Sequence, residues 1–176
     1  MEDPTMVPDF DVVTLPETEH IEEGEQAPDF TRPLVTAEYW EDVSLTDLLE
    51  ESPVVLIFHP MDGAFPTTYM WNEITDRDWF NYPVQVVGLS ISTPYEHKDT
   101  IKERGNTSIR LFSDPKNNVA ETFGISHDLD GMTGISEPRP AIYVIDTDRE
   151  VEYKWVASEW PDFPDYDEVE SIIKRL

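Results

Sequence analysis

The most telling segment of this chain is Pro53-Val54-Val55-Leu56-Ile57-Phe58-His59-Pro60. Its apolar run is short, rich in β-branched residues and bounded by prolines, which is typical of a strand buried on both faces. Residues 84–90 repeat this pattern, and residues 68–81 between them carry apolar side chains at roughly helical spacing. A strand, a helix and a strand in this order predict parallel pairing through a right-handed crossover.

The flanking sequence continues the alternation of strands and helices. It predicts a polar helix, a brief strand, a short helix, a hairpin and a closing helix, over residues 95–104, 109–112, 117–123, 140–146 with 151–155, and 166–176. Gly105 and Gly124 are placed to end the first two of these helices. This order predicts an α/β fold in which a mixed central sheet has helices on both faces.

Residues 1–23 differ in composition from the rest of the chain. They are rich in Pro, Asp, Glu and Thr, with one apolar cluster around Phe10, Val12 and Val13. We interpret them as an acidic N-terminal extension, laid on the surface or mobile, and residues 24–176 as the single folded domain. The acidic start predicts no signal peptide, and no apolar run is long enough to predict a membrane span.

The charge balance limits the partners of the protein. The sequence has 38 acidic and 12 basic residues, a formal net charge of −26 that is spread along the whole chain. Phosphate groups would be repelled, so neither nucleic acid nor an anionic membrane surface is an expected partner. An acidic, lysine-poor chain is typical of proteins kept soluble in concentrated salt, so we expect a halophilic cytoplasm; an ordinary acidic protein is the alternative.

The chain has no cysteine. Disulfides, zinc–thiolate sites and iron–sulfur clusters are therefore excluded. His59 and Asp62 lie in one predicted loop, but two ligands are too few for a metal centre, and a polar residue on a pocket wall is the simpler interpretation of His59. We expect no metal and no cofactor.

Six short motifs follow one another along the chain. They are Gly24-Glu25-Gln26-Ala27-Pro28-Asp29-Phe30, Val43-Ser44-Leu45-Thr46-Asp47, Val84-Gln85-Val86-Val87-Gly88-Leu89-Ser90, Leu111-Phe112-Ser113-Asp114, Phe123-Gly124-Ile125 and Ile142-Tyr143-Val144-Ile145-Asp146. In this order and spacing they resemble the peroxiredoxin (AhpC/TSA, or redoxin) branch of the thioredoxin fold. The resemblance implies a thioredoxin-like mixed sheet and a homodimer that pairs beside the active loop.

The active loop of that family has the form F-Y-P-x-x-x-T-x-x-C-T, and residues 58–68 align with it without a gap. Pro60 is retained, but Ala64 stands where the family has the peroxide-binding threonine, and Thr67 stands where it has the peroxidatic cysteine. Peroxide reduction needs a thiolate of low pKa that cycles through a sulfenic acid. A threonine hydroxyl cannot do this, so we do not expect peroxidase activity.

The arginine of the family is displaced as well. The resemblance places it at Pro140, whereas this chain has Arg139 one residue earlier. Adjacent residues of a strand point to opposite faces, so Arg139 is expected to miss the pocket. A cis Arg139–Pro140 bond is conceivable but cannot be deduced from sequence.

Thr67 can be interpreted as a nucleophile or as a helix N-cap, and we predict the N-cap. Our first hypothesis is a non-catalytic binding or assembly protein that holds a protein partner or a small ligand at the altered loop, through His59, Met61, Asp62, Phe65, Thr67 and Thr68. The alternative is an enzyme of unknown reaction that uses a pocket around Thr67. If the side chains of Arg139 and His59 both point at Thr67, the enzyme hypothesis is favoured. If Met61 or Phe65 fills the pocket, the binding hypothesis is favoured.

Overall fold

The computed structural model describes residues 12–128 and 131–176. Strands β1 to β11 are Val13–Thr14, Thr31–Val35, Trp40–Ser44, Val54–Phe58, Gln85–Ser90, Arg110–Ser113, Ser126–His127, Glu137–Pro138, Ala141–Ile145, Val151–Val156 and Glu159–Trp160. Helices α1 to α5 are Leu45–Leu49, Phe65–Asp76, Pro94–Arg104, Asn118–Phe123 and Tyr166–Ile173, and Trp79–Asn81 forms a 3₁₀ turn.

The central sheet has seven strands in the order β10-β9-β4-β5-β6-β2-β3. The pairs β4–β5 and β5–β6 are parallel, whereas β4–β9, β9–β10, β6–β2 and β2–β3 are antiparallel. The sheet is therefore mixed, and the strand predicted from residues 53–58 lies at its centre, with all five residues buried.

Two apolar cores lie on opposite faces of the sheet. Leu56 and Phe58 of β4 pack with the buried residues of α1 and α4, whereas Val55 and Ile57 pack with those of α2, α3 and α5. The side chains of a strand alternate between its faces, so one apolar strand supplies both cores. The predicted α/β fold class, with helices on both faces of a mixed sheet, is confirmed.

The boundaries of α2 differ from the prediction. The helix begins at Phe65, with Pro66 in its first turn, and ends at Asp76. Proline suits a first turn because its fixed φ is helical and its missing N–H has no intrahelical partner there. Asp78 has a left-handed φ of 57°, which ends the helical path before the 3₁₀ turn.

The hairpin of β2 and β3 was not predicted. Its sequence contains Pro33 and the acidic pair Glu41 and Asp42, which are unfavourable in central strands. These residues are tolerated because β3 lies at the edge of the sheet and β6 pairs only with Leu34 and Val35 of β2. The position of these two strands in the sheet outweighed the low β-propensity of their residues.

The N-terminal segment from residue 12 to residue 23 runs against the sheet domain. The β1 strand pairs with β11, the hydroxyl of Tyr143 donates to the Ile21 carbonyl at 2.8 Å, and Arg139 donates to the Pro16 carbonyl at 2.6 Å. Gly124 lies beneath this segment: a Cβ there would collide with the Glu19 carbonyl oxygen. The division of the chain at residue 24 remains a prediction, and Phe10 lies outside the described residues.

No helix among the described residues is both long enough and apolar enough to cross a membrane.

Candidate functional site

The segment from residue 59 to residue 68 comprises the loop after β4 and the first turn of α2, and it lies at the carboxyl edge of the three parallel strands. Ligands of open α/β sheets usually bind at this edge. Thr67 is the third residue of α2 and is only 3 % exposed. Its hydroxyl donates to the Pro60 carbonyl at 3.2 Å.

The predicted N-cap role of Thr67 is wrong. The N-cap is Ala64, which has no side-chain hydrogen bond to the helix. Thr67 lies inside the first turn, where its side chain bonds the loop in front of the helix rather than a backbone N–H. The sequence was ambiguous because Pro66 allows the helix to begin one turn earlier than Thr67 or Thr68 suggested.

His59 is buried beside this turn, with 1 % of its surface exposed. Nδ1 lies 2.7 Å from the Pro60 carbonyl oxygen and must donate to it, because a carbonyl oxygen only accepts. Nε2 is also buried and has no partner among the described residues. Burial lowers the pKa of His59 to about 4, an effect that nearby Asp62 only partly opposes, so the ring is neutral at pH 7.

His59 and Thr67 therefore donate to one and the same carbonyl oxygen. A nucleophile and its base must instead be hydrogen-bonded to each other. The His59 ring packs edge-on against Trp71, and a Cβ at Gly88 would come within 2.7 Å of Trp71 and 3.0 Å of His59 Nε2. Gly88 is thus the residue that makes room for this buried histidine.

Asp62 ties the loop to α3. Its Oδ2 accepts hydrogen bonds from His97 Nδ1 at 2.7 Å and from the Thr100 hydroxyl at 2.9 Å. Its backbone N–H donates to the Ser92 hydroxyl at 2.8 Å, while Oδ1 is buried without a partner among the described residues. Burial by itself raises the pKa of Asp62, but the hydrogen bond and charge of His97, helped by His59 and Thr100, outweigh it and leave the pKa below its usual value.

His97 cannot act as a free base. The ring is fully buried, with Nε2 3.0 Å from the Phe112 carbonyl oxygen and Nδ1 held by Asp62. Sequence analysis missed His97, Thr100 and Ser92 because they lie 35, 38 and 30 residues from Asp62 along the chain. The one signal in the sequence was the polar composition of the helix predicted over residues 95–104.

Met61 and Phe65 do not fill a pocket at Thr67. The backbone N–H of Met61 donates to Glu137 Oε2 at 2.8 Å. Phe65 packs edge-on against Tyr69 and Phe163, with ring centroids 5.1 Å and 6.1 Å apart. Both residues are partly exposed, and neither lines the cavity beside Thr67.

Arg139 points away from the 59–68 segment. Its two terminal nitrogens donate to the carbonyl oxygens of Ala157, at 3.2 Å, and Pro16, at 2.6 Å. Within the described chain the cis bond that occurs is Trp160–Pro161, so the Arg139–Pro140 bond is trans. Arg139 and His59 therefore do not both point at Thr67, contrary to the expectation of the enzyme hypothesis. Neither Met61 nor Phe65 fills the pocket, contrary to the expectation of the binding hypothesis.

A cavity of about 490 Å³ opens between the first turns of α2 and the polar face of α3. Thr67, Thr68 and Asn72 line one side of it, and Thr100 and Arg104 line the other. Four carboxylates also line it, those of Asp62, Glu96, Asp99 and Glu103. Arg104 is held by the Thr68 carbonyl at 3.0 Å and Asn72 Oδ1 at 3.1 Å, so one fixed cation faces four acids.

In the described part of the chain, no three His, Asp or Glu side chains are grouped so that they could hold a metal ion. The cavity is therefore an acidic, polar space and not a preformed metal centre.

The strand order and the helix placement define a thioredoxin-fold protein. The sequence matches the AhpC/TSA family over residues 23–154, and the chain belongs to that family. It is 26 % identical over 141 residues to the chloroplastic 2-cysteine peroxiredoxin of Chattonella marina var. antiqua, a match that covers 76 % of this chain and 69 % of that protein.

Two further similarities cover most of the chain. A thiol peroxidase of Staphylococcus aureus is 26 % identical over 161 residues, which are 90 % of this chain and 91 % of that protein. The crystal structure of the peroxidoxin BcpB from Mycobacterium tuberculosis superposes with a TM-score of 0.71 at 23 % identity, covering 89 % of this chain and 99 % of that chain. The structural likeness shows the fold, and the resemblance stated from the six motifs is confirmed at the level of the family.

Proposed function

We propose that this protein is a member of the AhpC/TSA family that has lost thiol peroxidase chemistry and acts by binding. One observation carries the proposal: the chain has no cysteine, and Thr67, which the motif comparison assigns to the position of the family's cysteine, is buried and donates its hydroxyl to the Pro60 carbonyl. No cysteine exists elsewhere in the 176 residues to replace it. A hydroxyl does not cycle through a sulfenic acid, so the chain has no thiolate for catalytic peroxide reduction.

The cavity beside Thr67 supports a binding role. Its four carboxylates against one guanidinium make it unsuitable for an anionic ligand and suitable for a small organic cation or a basic side chain of a protein partner. Asp62 lines this cavity, and its Oδ1 is an acceptor that has no partner among the described residues and is buried just behind the lining surface. An N–H donor of the ligand would satisfy it.

The alternative of an enzyme of another class has less support. A nucleophilic Thr67 needs a base that takes its proton, and the nearby ring nitrogen, Nδ1 of His59, is itself a donor to the acceptor that Thr67 uses. Arg139 points elsewhere. The open cavity is the one feature that such an enzyme would share with a binding protein.

We also propose a halophilic cytoplasm as the setting and a homodimer as the assembly. The net charge of −26 supports the first. Phe65, Tyr69 and Phe163 support the second, because aromatic side chains are enriched at interfaces and this cluster lies at the start of α2.

A peroxide-consumption assay tests the loss of chemistry. In concentrated KCl with a thiol reductant, the wild-type protein is expected to consume hydrogen peroxide no faster than buffer, because no thiolate is available. Thr67→Val is the matched control, since valine keeps the shape and removes the hydroxyl, and it is expected to be equally inactive. Wild-type turnover that disappears in Thr67→Val would contradict the proposal.

A further inference from the structure

Among the described residues, no carboxylate pairs with Arg139, a buried cation in a strongly acidic protein. The residue is 2 % exposed, and its terminal nitrogens donate only to two backbone carbonyls. Its Nε is buried and has no partner among the described residues. By contrast, Arg32 pairs with Asp114 at 2.9 Å and Arg77 with Glu73 at 2.7 Å.

A buried charge without a counter-ion is unfavourable, so native proteins normally pair it. Backbone carbonyls carry only partial negative charge and leave the positive charge of Arg139 uncompensated. With 38 carboxylates in the sequence, a counter-ion from the chain itself would be easy to supply, yet none pairs with Arg139 in the described structure. This arrangement points to a binding site for an external anion.

A cavity of about 250 Å³ adjoins this guanidinium. The carbonyls that accept from Arg139 belong to Pro16 and Ala157, and both residues line the cavity, so the guanidinium lies at its wall. Leu15 and Val156 add apolar surface, and Ser158 adds a hydroxyl. The cavity thus has a cation next to apolar wall residues.

The surroundings of the cavity include further basic groups. His20 lines it, and Lys154 Nζ lies 3.1 Å from His20 Nε2. The pKa of His20 is lowered by burial first and then by the charges of Lys154 and Arg139, against an opposing effect of Glu22. Burial and then the charge of Arg139 likewise lower the pKa of His127.

Several carboxylates oppose these groups. Asp162 accepts from the backbone N–H of Ser158 at 2.9 Å, and Glu23 accepts from that of Lys154 at 3.3 Å. Glu22 is engaged with Lys154 and His20, each at 3.3 Å. Glu17 lines the cavity and is exposed to solvent. Glu17 is therefore the acidic side chain of the described chain that would compete with an entering anion.

We propose that the cavity beside Arg139 binds a small carboxylate ligand, with the carboxylate on the guanidinium and a short aliphatic part against Leu15 and Val156. A guanidinium presents parallel N–H donors that suit a carboxylate. The site is separate from the acidic cavity beside Thr67, with which it shares no lining residue, and it has the opposite charge preference.

Titration of the full-length protein with sodium propionate, followed by the NMR signals of the His20 ring, tests the site. We expect a saturable shift and a rise in the pKa of His20, with a Kd of about 1 mM, the range for a small ligand with one charged anchor. Sodium chloride added at the same concentrations is the second arm, because an inorganic anion shares the charge but not the aliphatic part. An equal response to chloride would overturn the carboxylate assignment.

Two variants separate the site from a general salt effect. Arg139→Met keeps an aliphatic stem without the charge and is expected to abolish the propionate response. Because Arg139 also anchors the N-terminal segment, Glu17→Gln provides a test that leaves that anchor intact: removal of the competing carboxylate is expected to tighten binding at least about threefold. An unchanged Kd in Glu17→Gln, or no saturable response in the wild type, would overturn the proposal.

Discussion

At the scale of single residues, His59 is the most consequential side chain of the 59–68 segment. The ring is buried between Trp71 and Gly88, one nitrogen donates to the Pro60 carbonyl, and the other has no partner in the described structure. The neutral ring is tolerated there, but a protonated ring would add a buried charge. The acid stability of the protein should therefore depend on this one residue.

We predict that His59→Phe reduces the acid sensitivity of folding. The folded-state pKa of about 4 lies below the unfolded value of 6.5, so the unfolded state binds the proton first and stability is lost as the pH falls from 6.5 to 4. At 1.36 kcal/mol per pH unit, this loss is about 3 kcal/mol. Urea unfolding at fixed salt across this pH window measures it in the wild type and in the variant.

The partly exposed His127 serves as the control for this prediction. Burial also lowers its pKa, but the residue as a whole is partly exposed although Nδ1 is buried, so His127→Asn should change the pH profile of the free energy of unfolding less than His59→Phe does. If His59→Phe and the wild type lose the same stability between pH 6.5 and pH 4, His59 is not the acid-sensitive group.

At the scale of elements, the 59–68 segment is held between two helices. Asp62 links its loop part, residues 59–64, to α3 through His97 and Thr100, and Thr67 in the first turn of α2 donates to Pro60 of that loop. The cavity between these helices is consequently a fixed space whose walls are regular elements. Sites built on helices and strands are more rigid than sites on loops alone.

We predict that this cavity binds a small diamine such as putrescine more tightly than succinate, a dianion of similar length. Calorimetric titration at a fixed KCl concentration should give a Kd on the order of 1 mM for putrescine. In the Arg139→Met variant, which lacks the cation of the other cavity, it should show no measurable succinate binding. The double variant Asp99→Asn/Glu103→Gln removes two of the lining charges and should weaken putrescine binding several-fold.

Glu121→Gln is the matched control, because Glu121 is exposed on α4 at the other face of the sheet. It changes the net charge without touching the cavity and should leave the Kd for putrescine nearly unchanged. Equal weakening by Glu121→Gln and by the double variant would mean that putrescine responds only to net charge.

At the scale of the whole molecule, the dominant property is the excess of negative charge. The two apolar cores account for the fold, whereas the carboxylates lie mostly on the surface and repel one another. Salt reduces this repulsion, since the screening length falls from about 10 Å at 0.1 M to about 3 Å at 1 M.

We predict that the thermal midpoint of unfolding rises on the order of 5 °C between 0.1 M and 2 M KCl, which corresponds to about 2 kcal/mol for a domain of this size. Calorimetry at pH 7 measures the midpoint. A parallel series in sorbitol at matched osmolality controls for general solute exclusion and should give a smaller rise. A midpoint that falls with KCl would argue against a halophilic protein.

Much of the fold was predictable because its signals are local. The apolar run of β4, the hairpin of β9 and β10 and the ends of α3 and α4 at Gly105 and Gly124 all follow from residues close together in sequence. The β2–β3 hairpin was missed because its stability comes from neighbouring strands rather than from its own composition.

The amino-acid sequence alone determined that this chain has no thiol, since this depends only on residue identity, and its motifs predict that Thr67 stands at the cysteine position of the family. Only the tertiary structure decided where side chains point: Arg139 toward the N-terminal segment, Asp62 toward His97, and Thr67 toward Pro60 instead of an N-cap bond. The physical reason is that hydrogen bonds join groups that are close in space, and packing brings together residues that lie more than a hundred positions apart, as in the pair of Arg139 and Pro16.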